Sequence, residues 1–175
     1  MVHPSIGEHL AFFQLVSLFQ DLEEKHIKKI MEIMTISEIK KGEMITREGD
    51  HGDSMFILLK GEVEISKSLF LSPLISEDSL QEKALIRLNE DQHGFFGEMA
   101  LFLENPERSA SIKALRPCKL AGIQKQDLLK ILSEDRYIGS IIYKNIAVEL
   151  TKRLIKSNRD ILKLTTAFIL ALEGE

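Results

Sequence analysis

Between Ile36 and Ile123 the chain is cut into short apolar segments by glycines and polar clusters. That pattern excludes most folds before anything else is considered. ISEIKKG, EMITREG, SMFILLKG, EVEISKSL, ALIRLNEDQHG and ASIKALRPCKLAGI each hold enough apolar residues for one or two short strands, and no more. Their period is close to two, and they recur at the spacing of a closed β-roll or barrel.

The flanks follow a different period. Residues 8–34 predict helix in two pieces. In the first, His9 to Phe19, Leu10, Phe13, Val16 and Leu18 lie on or near one face. In the second, Asp21 is placed to cap, with Glu23 and Glu24 in the first turn and Lys28 and Lys29 near the end. Ile27, Ile30, Met31 and Met34 make this piece amphipathic. After Gln124 a short helix is expected over Lys125–Ser133, then a long one from about Arg136 to Leu172. Three regions result: a helical segment at 1–34, a β-roll at 35–124, and a short plus a long helix at 125–175.

The long helix carries Tyr143, Ala147, Leu150, Leu154, Ser157, Ile161, Leu164, Phe168 and Ala171 at alternating steps of four and three. A seam sustained this long predicts a homodimer through residues 143–172, two helices packed as a coiled coil. The alternative is a helix folded back on the β-roll along one amphipathic face. Residues 67–84 (KSLFLSPLISEDSLQEKA) exceed a tight hairpin turn and predict an inserted loop. The loop is either passive, a lid, or a partner contact through Leu69, Phe70, Leu71 and Leu74.

Composition narrows the function classes. Net charge is −4, so no global basic field would draw the chain to nucleic acid. Cys118 is the one cysteine, which precludes an intramolecular disulfide and a four-cysteine iron–sulfur site and fits a reducing cytoplasm. No apolar run reaches membrane-spanning length, so no membrane association is expected. His51 and His93 sit beside glycines with no paired metal-ligand spacing, and no metal or other cofactor is expected. No motif for nucleophilic catalysis or for a phosphate-gripping P-loop is present, so no enzymatic activity is expected.

The chemistry concentrates between Phe95 and Leu115, FFGEMALFLENPERSASIKAL. Glu98 follows a glycine, and Arg108 comes ten residues later, followed by the small residues Ser109, Ala110 and Ser111. A guanidinium can hold a phosphate by charge-assisted bonds, and a carboxylate can accept from a ribose hydroxyl. Small side chains let backbone N–H groups come close to a ligand. Upstream, ITREGDHGDSMFILLKGEVEI places Gly49, Gly52 and Gly61 around an apolar strand. These two stretches together resemble the signatures of the cyclic nucleotide-binding domain family, and the resemblance covers roughly residues 10–172. Thr46 departs from it, standing where an apolar residue is more usual.

The resemblance implies an α+β, mainly β fold: a double-stranded β-helix (a jelly-roll-like β-roll) with N-terminal helices and a long C-terminal dimerisation helix. It implies a cyclic nucleotide as ligand, cAMP ahead of cGMP. Arg108 would hold the phosphate and Glu98 the ribose, with Gly97, Met99, Ala100, Ser109 and Ala110 closing around them. Some bacterial members contact the purine from both dimer helices, and those positions fall on Ser157 and Asn158. Ser157 could equally be a register-setting polar residue in the seam. Lys156 and Arg159 flank these two and could stack on the base. Lys152, Arg153 and Lys163, with Lys156 and Arg159, otherwise form a solvated outer face. Whether Arg108 and Glu98 pair with each other is left open.

The function implied is a non-enzymatic regulatory module that signals through its long helix to an unknown effector protein. The alternatives are a transcription regulator of the catabolite activator type, or a fragment of one, and a dimeric scaffold that has lost its ligand. A cyclic dinucleotide is a further ligand option. DNA is not an expected partner, because no recognition helix is present.

Overall fold

The computed structural model describes residues 4–69 and 81–173 of the 175-residue chain. Eight strands follow one another: β1 Met34–Ile39, β2 Met44–Thr46, β3 Ser54–Lys60, β4 Glu62–Leu69, β5 Gln81–Asn89, β6 Phe95–Phe96, β7 Ser111–Ala114 and β8 Cys118–Gln124. They form two four-stranded sheets, ordered β1-β8-β3-β6 and β2-β7-β4-β5, with the pairings antiparallel. This is the expected β-roll.

The first sheet is buried on both faces. Along β3, Met55, Ile57 and Leu59 enter the core beneath the helices, while Leu58 enters a second core between the sheets. Strand β8 splits the same way, with Ala121 and Ile123 on one side and Cys118 and Leu120 on the other. A strand covered on both faces must be apolar at nearly every position, which is why SMFILL shows no polar alternation. The second sheet has one wet face. There Val63 is buried while its neighbour Glu64 pairs across the ladder with Arg87 at 2.9 Å. Burial raises the pKa of the Cys118 thiol, which donates to the carbonyl of Glu62 at 3.3 Å.

The N-terminal segment departs from the expected pair of helices. Two single turns, α1 Pro4–Gly7 and α2 Leu10–Phe13, precede a 3₁₀ turn at Ser17–Phe19 and then α3 Glu24–Met31. The break comes at Asp21, whose φ is +69°, a left-handed conformation that cannot lie within a helix. Asp21 is therefore not the cap: Glu23 holds that position, and the Asp21 carboxylate pairs with Lys144 at 2.7 Å. Met34 opens β1 opposite Ile123 instead of closing α3, so ladder pairing overrides its helical spacing.

The expectations overlap at Lys67–Leu69, which EVEISKSL reads as strand and the 67–84 insertion as loop; the structure makes them strand, and Gln81–Lys83 at the other end of the insertion are strand as well. Lys67, Ser68 and Leu69 of β4 pair with Lys83, Glu82 and Gln81 of β5. The ladder satisfies their backbone groups, which outweighs the weak strand preference of a Ser- and Lys-rich end. Phe70, Leu71 and Leu74, the expected partner contacts, lie outside the described residues, as does the side chain of Leu69.

Helix α4 runs over Lys125–Glu134 and α5 over Arg136–Glu173. Asp135 ends the first and caps the second, accepting from the Ile138 N–H at 3.2 Å, and it pairs with Lys29 of α3 at 3.3 Å. Its pKa is lowered, by the bond from Ile138 foremost. Gly139 lets the helices touch, since a Cβ there would meet the Leu132 carbonyl oxygen at 2.5 Å.

The first turns of α5 fold back on the β-roll, as the alternative reading of this helix had it. Ile138, Ile142 and Ile146 are fully buried, and Leu150 packs against the same core. From Leu154 to Leu172 every residue is exposed. No described helix is long and apolar enough to cross a membrane.

Asn145 is the polar residue on the buried stretch of α5. Its amide donates to the carbonyls of Leu18 at 2.9 Å and Gln20 at 2.7 Å, tying the helix to the N-terminal segment. Asn145→Leu would keep the volume and orphan two carbonyls, at a cost of about 1–3 kcal/mol. Urea unfolding should show a lower midpoint with an unchanged slope; an unchanged midpoint would mean the tie contributes nothing.

Candidate functional site

The two signature segments are far apart in sequence and are stitched together by their backbones. The Gly49 N–H donates to the Arg108 carbonyl at 2.9 Å, the Arg108 N–H to Asp50 at 2.8 Å, and the Gly52 N–H to Pro106 at 2.9 Å. His51 bridges to Glu107 beside them. Thr46 continues the join, its hydroxyl donating to the Ala110 carbonyl at 3.3 Å. The hydroxyl thus has a partner that an apolar residue could not reach. The Glu48 N–H reaches the Ser111 hydroxyl at 3.1 Å.

Strand β6 pairs Phe95 and Phe96 with Ile57 and Phe56 of β3. Gly97 then turns the chain at φ +82°, a conformation that side chains rarely adopt, into one 3₁₀ turn over Glu98–Leu101. The turn drives the Glu98 side chain inward, where it is 2% exposed. Ser109 and Met99 close the mouth of the loop, hydroxyl to sulfur at 3.6 Å.

Arg108 is 9% exposed and runs through a slot that two glycines leave open. A Cβ on Gly52 would sit 2.2 Å from its Nε, and one on Gly97 would sit 3.1 Å from its Nη1. The guanidinium lies 5.7 Å from the Phe56 ring centroid and donates to the Ser54 carbonyl at 2.6 Å and hydroxyl at 2.9 Å. Burial lowers its pKa, and Asp53 nearby opposes that. Even so shifted, a guanidinium stays charged at neutral pH.

Arg108 and Glu98 do not pair with each other. Glu98 Oε1 accepts from Arg153 Nη1 of α5 at 2.8 Å. Glu98 Oε2 is buried and has no partner among the described residues. Arg153 also donates to the Phe95 carbonyl at 2.8 Å and to Glu149 at 3.3 Å, and lies 5.5 Å from the Phe95 ring centroid. It is therefore not part of a solvated outer face. It extends the inward face of α5 marked by Ile142, Ile146 and Glu149, a spacing visible in the sequence.

Gly97, Glu98, Met99, Ala100, Arg108, Ser109 and Ala110 all line one cavity of about 300 Å³. Arg153 lines it too, and so does Lys67 from β4, neither of which the sequence assigned to the site. Lys67 pairs with Glu48 at 3.5 Å, and Glu48 accepts the Ser68 N–H, which lowers its pKa. Ser157 and Asn158 are not brought to the cavity. They stand exposed on α5 one turn beyond Arg153, where the helix has left the β-roll. His51 and His93 are not gathered with other ligating groups, and no cluster of three His, Cys, Asp or Glu exists among the described residues.

A cavity of this size lined by one buried guanidinium, a second, half-buried one and a buried carboxylate suits a small ligand that is anionic at one end and hydroxylated at the other. Known proteins point the same way. The cyclic nucleotide-binding domain model matches residues 36–135. Mouse cGMP-dependent protein kinase 2 is 34% identical over 107 residues, which is 61% of this chain and 13% of the kinase. The chain thus spans only about an eighth of that relative.

Among solved structures, a cyclic nucleotide-binding domain from Methylobacillus flagellatus superposes with a TM-score of 0.72 at 22% identity, covering 90% of this chain and 83% of the other. The catabolite activator protein of Thermus thermophilus gives 0.70 at 23%, covering 85% and 63%. The match to these structures carries the fold and the match to the domain model carries the kinship: this chain belongs to the cyclic nucleotide-binding domain family.

Proposed function

We propose that the cavity binds a cyclic purine nucleotide and that the chain is a non-catalytic regulatory module whose long helix passes the signal to an effector protein. The observation that carries this reading is the pair of buried, opposite charges that line one cavity without touching. Arg108 offers the phosphate a guanidinium that now rests on the neutral partners of Ser54. A phosphate is the stronger acceptor and draws it away. Glu98 offers its buried, unpartnered Oε2 to the ribose hydroxyl while Oε1 keeps Arg153. Gly97, Met99, Ala100, Ser109 and Ala110 close around the sugar phosphate.

In this reading Arg153 couples site to signal. It is the bond between the ribose-binding carboxylate and α5, so ligand that reshapes Glu98 biases the position of the helix. Two chains pair through the seam of residues 143–172, chiefly its exposed part from Leu154 on, which brings Ser157 and Asn158 of the paired helices toward the purine. The module works in the cytoplasm.

For the base, the sequence ranks cAMP first. Lys67 on the cavity wall favours cGMP, since an ammonium suits the O6 acceptor of guanine and opposes the amino group that adenine carries in its place. The kinase that this chain resembles is named for cGMP, in keeping with the second choice.

Titration calorimetry with cAMP and with cGMP tests both points. Micromolar binding is expected, and Arg108→Gln should weaken it by about 2–5 kcal/mol through loss of a buried charged partner. Absence of heat with either nucleotide, from folded protein, would remove the proposal.

Arg153→Met separates the helix link from the phosphate grip. It removes a charge-assisted bond to a buried carboxylate, so the ligand-free protein should lose about 1.5–3 kcal/mol of stability. Phosphate binding through Arg108 should survive. An unchanged melting temperature would show that the Glu98–Arg153 pair holds nothing.

A further inference from the structure

The exposed end of α5 carries more apolar surface than one partner helix covers. With Leu154 taken as position a of a heptad, the a positions hold Leu154, Ile161 and Phe168 and the d positions Ser157, Leu164 and Ala171, the expected seam. The b positions form a second stripe beside it, Ile155, Leu162 and Ile169, extended by Leu172 at e; the other e positions are Asn158 and Thr165, and exposed Leu170 at c lies outside both stripes. Ile155 is 47% exposed, Leu162 67% and Ile169 47%. Every charge between Leu154 and Leu172 falls on c, f or g: Lys156, Arg159, Asp160 and Lys163.

A two-stranded coiled coil covers a and d and leaves b in water. The second stripe is the first advanced by one residue, a rotation of about 100°. A helix in a four-membered bundle sees its two neighbours about 90° apart, and in a three-membered one about 60°. The stripes therefore match four helices.

We infer that four copies of this chain assemble through the exposed end of α5, two pairs formed by the a/d seam and joined by the b/e stripe. The inference rests on the pairing proposed above and is independent of the ligand. Copies of the chain fit as the occupants for two reasons. Each supplies a helix of the same length and heptad period. The e positions, which select foreign partners by charge, are uncharged here: Asn158, Thr165 and Leu172. Lys156, Arg159 and Lys163 lie on the far face, so copies meet without apposing like charges. That placement also disfavours a lipid surface, where the cations would flank the apolar face.

Light scattering on the purified chain, across a concentration series, reads the assembly directly. The expected mass is four times the 19.9 kDa of one chain. Leu162→Glu with Ile169→Glu should reduce it to two chains, and Ile161→Glu with Leu164→Glu to one. These side chains are exposed in the single chain, so circular dichroism should show folded protein in both variants. A wild-type mass of two chains, or a b-stripe variant still at four, would overturn the four-chain assembly and leave the pairing standing. A wild-type mass of one chain would overturn both.

Discussion

The rest of the site depends on a carboxylate held out of water. A buried charge must be paired, or the fold loses several kcal/mol. Glu98 meets that demand with Arg153, from a helix 55 residues downstream. One bond therefore does two things. It makes burial of Glu98 tolerable, and it fixes where α5 leaves the β-roll. The bond uses one carboxylate oxygen and leaves the other buried and without a partner among the described residues, on a side chain that lines the cavity.

Arg108 is held by different means, and that difference keeps the cavity open. If the two charges had met they would have neutralised each other and filled the space between them. Instead Gly52 and Gly97 leave a slot, and Ser54 receives the guanidinium through a carbonyl and a hydroxyl. Neutral acceptors satisfy the donors without cancelling the charge. The stitching of residues 49–52 to 106–108 places the slot beside Glu98, and the double-faced burial of β3 and β8 gives that stitching a rigid floor.

Much of this was legible in the sequence because it rests on local rules. Gly-punctuated strands, a Gly–Glu turn and a small-residue run each announce themselves within a few positions. What stayed hidden depended on partners far along the chain. Asp21 looked like a cap because its neighbours are acidic, yet its left-handed backbone follows from docking against Lys144 and Tyr137 of α5. Gln81 to Lys83 looked like loop because they end a long segment that mixes Ser, Pro and acids, and a ladder with Lys67–Leu69 decided otherwise. Arg153 looked solvated among other cations. Its register with Ile142, Ile146 and Glu149 separates it from Lys152 but not from Lys156, which continues the same spacing one turn beyond the β-roll.

Helix α5 thus divides at Arg153. Before it, the helix belongs to the β-roll; beyond it, apolar residues stand in water with nothing in the single chain to cover them. On the function proposed here, the Glu98–Arg153 bond is the link between the cavity and the exposed half. The most direct test is a proton–nitrogen NMR spectrum of the arginine side chains, recorded while cAMP and then cGMP are added. The account predicts saturable shifts of the Arg108 Nε–H, as it leaves Ser54 for phosphate, and of the Arg153 Nε–H, as Glu98 takes up the ribose. Saturable binding that leaves both resonances in place would put the nucleotide elsewhere and contradict the account.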